Sequence, residues 1–355
     1  MNSHKKFQNL LVPFLSVLLG LVFGAIIIAL IGKDPIEAYQ YLFGGALGTS
    51  YGIGQTLRSM APLILTALGF SVAYKAGFFN IGLSGQALAG WLTSVWVALS
   101  FPTLPQYMLL PLCIVTGMIA GAVWAGIAGI LKAYFNASEV ITTIMLNYVI
   151  LYVNDFLIRN VMTNPAADKT NTIPQTASLR WDVLTELTDN STVHLGIIIS
   201  VFMALLVHIM LKRTTLGLEL RAVGLNPFAA EYAGMNAKKN IIRAMFISGC
   251  LAGLAGVMEG LGQFENIFLQ NGVSPAIGFT GMSVSLLALG NPLGIILSAA
   301  LFGIFESGSS EMSLMTNVPA ELVTVITAII IFFVGANYII RFILDKIKWK
   351  QSEEA

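Results

Sequence analysis

"LLVPFLSVLLGLVFGAIIIALI" occupies residues 10–31, and no charged side chain interrupts its 22 positions. A helix of that length rises about 33 Å, close to the hydrocarbon thickness of a bilayer. The apolar character is continuous rather than alternating, which favours a spanning helix over a barrel strand. The run follows His4, Lys5 and Lys6. It is too long for the apolar core of a signal peptide, and no small-residue cleavage site stands out. Residues 10–31 are therefore predicted to be a retained transmembrane helix.

The same reading extends along the whole chain. Of 355 residues, 56% are hydrophobic and 10% charged, and the mean hydropathy is +0.80. A soluble domain carries about 25% charged residues, so lipid is the natural solvent for this composition. Ten spans are predicted: 10–31, 55–74, 80–100, 107–131, 140–158, 193–211, 243–262, 274–290, 293–309 and 320–341. Residues 38–49 are apolar but too short to cross, and read as an interfacial or re-entrant helix. The expectation is an all-α polytopic membrane protein with about ten transmembrane helices, one transmembrane domain over 1–355. The net charge of +1 gives no sign of nucleic-acid binding. Cys113 and Cys250 both lie in apolar runs and read as buried small hydrophobes.

Ten crossings place both termini on one side of the membrane. With the N-terminus inside, fourteen of the 19 basic residues fall on inner segments and five on outer ones. The positive-inside rule then puts both termini in the cytoplasm. The polar stretch 159–192 becomes an extracellular loop and 212–242 a cytoplasmic one. Small residues are dense within the spans, as in Gly117–Ala120–Gly121–Ala122 and Ala252–Gly253–Ala255–Gly256. Such faces let helices approach closely in lipid. No phosphate-binding loop of the G-x-x-x-x-G-K-[ST] type is present, so the chain has no ATP site of that kind.

The cytoplasmic loop contains "GLELRAVGLNPFAAEYAGM", residues 217–235. Asn226 followed by Pro227 is a strong helix start, and Gly234 is a left-handed stop. The helix between them has about seven residues and is some 10 Å long, too short to stand alone in water. Phe228, Ala229, Tyr232 and Ala233 offer it an apolar face, with Arg221, Glu231, Lys238 and Lys239 around it. Two readings stand on this pattern: a knob that plugs a groove on a soluble partner, and an interfacial helix on lipid headgroups.

This stretch strongly resembles the coupling loop of permease subunits of ABC importers in the ribose/branched-chain amino acid class. It looks most like the nucleoside-type permeases that work with basic-membrane-protein lipoproteins. "GFFNIGLSGQ" (77–86), "ASEVITTIMLNY" (137–148) and "GMSVSLLALGNPLG" (281–294) match other blocks of that family. The resemblance implies a type II importer permease fold in the bacterial plasma membrane. It implies that Arg221, Asn226, Pro227, Phe228, Ala230, Glu231, Tyr232 and Gly234 couple to a separate ABC ATPase subunit. ATP and magnesium would belong to that subunit, with no cofactor bound by this chain. A second permease of different sequence and an extracellular lipoprotein that delivers the solute, a nucleoside, are also implied.

Within the spans, Gly77, Gly82 and Gly85 loosen the chain around Asn80, Ser84 and Gln86. Broken backbone at membrane depth is tolerated where protein or water covers it, and transporter sites are often built so. A pathway-lining break between the second and third spans is expected; a cytoplasmic turn is the plainer alternative. Glu259 and Glu306 lie in or near apolar spans, where ionisable groups usually face a cavity or a partner. Asn147 either lines the pathway or ties helices together. Glu139 suits the positive end of a helix, and Asp155 and Arg159 are spaced to pair. His4, His194 and His208 have no metal spacing, and no catalytic constellation is present. Two other transport readings remain, a ribose or monosaccharide ABC permease and an ion-coupled secondary transporter using Glu259 and Glu306; a membrane scaffold without transport is the third alternative.

Overall fold

The computed structural model describes residues 3–162 and 167–335, with side chains for 13–162 and 167–334. The end of the span predicted at 320–341 lies outside the described residues. So do the basic side chains Lys5, Lys6, Arg341, Lys346, Lys348 and Lys350, on which the placement of both termini partly rests.

The described residues form a helical bundle. The first run becomes α1 (Ser3–Leu30), and the short apolar segment becomes α2 (Pro35–Leu47), capped by Asp34. Four long helices follow: α3 (Ser50–Lys75), α4 (Leu83–Ser100), α5 (Gln106–Phe135) and α6 (Glu139–Leu157). A single π turn extends α6 to Met162, and a short α7 (Asp182–Leu187) sits in the connection that follows. Then come α8 (Gly196–Arg213), α9 (Thr215–Leu225), α10 (Pro227–Tyr232) and α11 (Ala237–Met258). α11 continues as a π-helical turn over Glu259–Gln263. The last elements are α12 (Ile277–Leu287), α13 (Pro292–Thr316) and α14 (Glu321–Gly335).

Among the described residues, seven helical segments are long and apolar enough to cross a bilayer, in α1, α3, α5, α6, α8, α11 and α13. The other predicted spans coincide with α4, of 18 residues, and with the shorter apolar helices α12 and α14. α12 has only 11 residues and α13 has 25. Two equal spans were expected there, but Pro292 starts α13 at once and Gly290, at φ +64, ends the turn after α12.

α11 runs through the middle, packed on α3, α4 and α5. The two small-residue runs read from the sequence meet each other here. A Cβ on Gly121 or Gly253 would collide with backbone of the opposite helix, and one on Gly256 would strike the Ala87 carbonyl. Backbone-to-backbone approach maximises dispersion contact where lipid removes the hydrophobic drive.

α3 gives the molecule two distinct ends. Near its start, Thr192 donates to Gln55 and a Cβ on Gly54 would meet Ser191, so the connection before α8 lies there. At its finish, a Cβ on Gly224 would meet the Lys75 carbonyl, so α9 lies there. With 26 residues α3 is about 39 Å long. The two polar stretches of the sequence therefore sit at opposite ends of the bundle.

Candidate functional site

At the first end, a cavity of about 670 Å³ opens between α3, α13, α14 and the segment 263–280. Glu259 and Glu306 both face it, from the π turn after α11 and from α13. They are the only ionisable groups on its wall among the described residues. Neither carboxylate has a hydrogen-bond or ion-pair partner there. Arg58 on α3 is the cation whose field reaches both. Its guanidinium makes long contacts, 3.5 Å to the Thr192 hydroxyl and 3.4 Å to that of Ser59, and its Nε is buried without a partner.

The π turn is fixed from outside. Arg180 donates to the carbonyls of Gly262 and Gln263, at 3.0 and 2.7 Å, and pairs with Glu265 at 3.1 Å. These carbonyls stand at a helix end and would otherwise lack partners. Short backbone pairings reinforce the staple, from Leu179 N to Leu261 O and from Thr170 N to Ile267 O. His194 is buried against Gly262, and its Nδ1 accepts the Gly196 N–H at 3.1 Å. Burial, and then the cations Arg58 and Arg180, push its pKa down to about 3. Asp155 accepts from the backbone N–H groups of Gln270 and Asn271. The expected pairing of Asp155 with Arg159 is absent among the described residues: two oriented N–H donors satisfy the carboxylate better than a long exposed cation.

Of the six pathway candidates, only Glu259 and Glu306 face this cavity. Asn80, Ser84, Gln86 and Asn147 are buried beneath it. Residues 76–82 are non-helical between α3 and α4, where the glycines stand. Asn80 and Gln86 exchange two amide hydrogen bonds of 3.0 Å, and Asn80 also takes the Gly82 N–H and donates to Ser248 on α11. Asn147 accepts the Gly85 N–H and donates to the Ile81 carbonyl, tying α6 to the start of α4. These amides satisfy the backbone groups freed by the break. Ser84 keeps a buried hydroxyl with no partner, and a Cβ on Gly278 of α12 would overlap it. Ile277 and Thr280, on the same helix, line the cavity. α12 thus stands between the cavity and the break. Glu139 pairs with Lys132 at 2.7 Å.

At the other end, Asn226 is extended at φ −158 and its side chain accepts the Ala229 N–H at 3.1 Å. Pro227 opens α10, and a Schellman motif closes it: Met235 N donates to Ala230 O and Gly234 N to Glu231 O. Gly234 takes the required left-handed φ of +84. Ala230 packs on Val223 and Ala237, anchoring one face. Phe228 and Tyr232 point away, 74% and 96% exposed. Arg221 donates to the Gly217 carbonyl, and Glu219 meets Arg243 at 3.6 Å. Lys238 lies over the Tyr134 ring. Glu231 is exposed. Behind this unit, the backbones of Gly77 and Gly224 touch, so α9 abuts the first residues of the break.

The aromatic cluster on the cavity wall was not legible in the sequence. Trp91 stacks on Phe264 with centroids 5.2 Å apart, and Phe268 meets both rings edge-on. Trp91 comes from α4 and the two phenylalanines from the segment after α11, so no local signal joins them.

The family described as "Branched-chain amino acid transport system / permease component" matches residues 52–335. A nucleoside ABC transporter permease protein of Lactococcus lactis is 45% identical, covering 99% of this chain and 98% of its own. A guanosine ABC transporter permease protein of Bacillus subtilis is 43% identical, covering 98% and 99%. A glucose ABC transporter permease protein of Haloferax volcanii is 32% identical, covering 90% and 86%. No solved structure is a significant match.

Proposed function

The chain belongs to the family of branched-chain amino acid transport system permease components, and from that membership we propose that it is the membrane-spanning subunit of an ATP-driven nucleoside importer. The observation that carries the substrate is the 43–45% identity, over nearly the full chain, to permeases named for nucleosides and guanosine. The glucose permease relative is more distant at 32%, which leaves a monosaccharide as the second reading.

In this reading the bundle crosses the membrane ten times, with both termini cytoplasmic and 159–192 outside. An extracellular lipoprotein releases the solute into the cavity between α3 and α13. A second permease of different sequence forms the other half of the pathway. Phe228 and Tyr232 on α10 fill a groove of a separate ABC ATPase, with Asn226, Pro227 and Gly234 holding the helix rigid. Closure of the ATPase pushes α9 against the backbone of Gly77 and Lys75. The break at 76–82 and α12 then part at the Ser84–Gly278 contact, and the cavity opens inward. Asn80, Ser84, Gln86 and Asn147 join the path in that state. The ion-coupled reading has less support, since among the described residues the cavity wall offers two carboxylates and no further ionisable group.

Uptake into proteoliposomes of the assembled complex tests this. Labelled guanosine and adenosine are expected to enter only with ATP and the ATPase partner, and against excess ribose or glucose. Uptake that follows an ion gradient without ATP, or that ribose or glucose abolishes, overturns the reading.

A further inference from the structure

Building on the nucleoside reading, we propose that the cavity holds a substrate seat in which the nucleobase stacks on Phe264 and the ribose hydroxyls are held by Glu259 and Glu306. The base side rests on rigidity. One face of Phe264 is covered by Trp91 at an interplanar angle of 13°, and Phe268 closes its edge. Trp91 is itself buried and locked by a 2.8 Å hydrogen bond from Nε1 to the Asn266 carbonyl. Phe264 still keeps 38% of its surface open, on a cavity wall. A flat aromatic ligand would extend this stack at little entropic cost, because the ring is already held.

The sugar side rests on placement. In the π turn, Phe264 N donates to Glu259 O at 2.9 Å. That bond closes one π-helical turn, so residues 259 and 264 stand one turn apart and both side chains line the same cavity. π turns of this kind commonly mark functional sites, and Arg180 pins this one in place. Glu306 approaches from α13 on the same cavity. Two carboxyl groups without protein partners among the described residues suit a vicinal diol, whose hydroxyls donate to their oxygens. The volume, about 670 Å³, holds a nucleoside with room for water, which suits passage more than tight capture.

The test uses proteoliposomes of the complete importer with its own lipoprotein, so that lipoprotein preference is constant across variants. Uptake of guanosine, uridine and a 2′,3′-dideoxynucleoside is compared. Phe264→Leu is expected to raise the KM for guanosine about fivefold or more and to compress the purine-to-pyrimidine ratio, while Phe264→Trp preserves both. Glu259→Gln and Glu306→Gln are expected to shrink the preference for ribo- over dideoxynucleoside, Glu259→Gln the more. A merely structural role would lower all three substrates together and leave the ratios unchanged, which would overturn the seat. If wild-type complex carries glucose or ribose and no nucleoside, the functional reading itself fails; if it carries nucleosides with ratios indifferent to these substitutions, only the seat does.

Discussion

At the scale of single residues, the chain spends its few polar groups on holding irregular backbone. His194 shows how. Its ring is neutral inside the fold, with a pKa of about 3 set first by burial, against about 6.5 in an unfolded chain. Because the unfolded state takes up the proton first, stability is complete above pH 6.5 and falls as pH drops toward 3, by up to about 1.4 kcal/mol per pH unit. Thermal melts of purified protein at pH 7.5 and 5 should show the drop, and His194→Asn, which keeps an acceptor for the Gly196 N–H, should flatten it. An unchanged slope in His194→Asn would remove the assignment. Asn80 is the second case. Removing it leaves the Gln86 amide and the Gly82 N–H without their partner, at about 1–3 kcal/mol for each buried group. Asn80→Ala should therefore melt well below wild type, while Asn160→Ala, at an exposed site whose amide donates to the Phe156 carbonyl, should not.

At the scale of elements, local chemistry was readable and long-range chemistry was not. The start of α10 at Asn226–Pro227 and its stop at Gly234 follow from caps, which are decided by neighbouring residues. The break after α3 was legible for the same reason, as a cluster of glycines and amides. What the sequence could not disclose is which partners Asn80, Gln86 and Asn147 take in satisfying the break, or that Trp91 reaches Phe264. Those pairings depend on helix packing across distant segments. The π turn at 259–263 also lacks a local sequence signature, and the Arg180 side chain that bonds its carbonyls comes from a distant segment. The caps of α10 carry the prediction at this scale. Asn226→Lys removes an N-cap worth about 0.5–2 kcal/mol, and Gly234→Val forces a branched residue into φ +84. Neither position touches the buried bundle, so both variants should insert normally. ATP hydrolysis by the assembled complex should persist while uptake falls about tenfold or more, as expected when a short helix can no longer transmit a push. Full uptake in both would sever α10 from coupling.

At the scale of the whole molecule, the work is divided between two ends about 39 Å apart, the length of α3. One end carries the cavity and its stapled cover, and the other carries α10. Motion can pass between them because α9 rests on backbone, not on flexible side chains, at Gly224 and Gly77. Tightly packed backbone shifts as a unit rather than absorbing the displacement. The arrangement works for import only if the two ends face opposite sides of the membrane. Val183 in α7 and Tyr232 in α10 are both well exposed, and of the native thiols Cys113 is buried and Cys250 half-buried, so background labelling should be low. Val183→Cys should react with a membrane-impermeant maleimide in intact cells and Tyr232→Cys only in inverted vesicles. Labelling of both from one side would contradict the separation. Labelling with the sides exchanged would leave the fold intact but turn the molecule over, placing α10 where no ATPase could meet it.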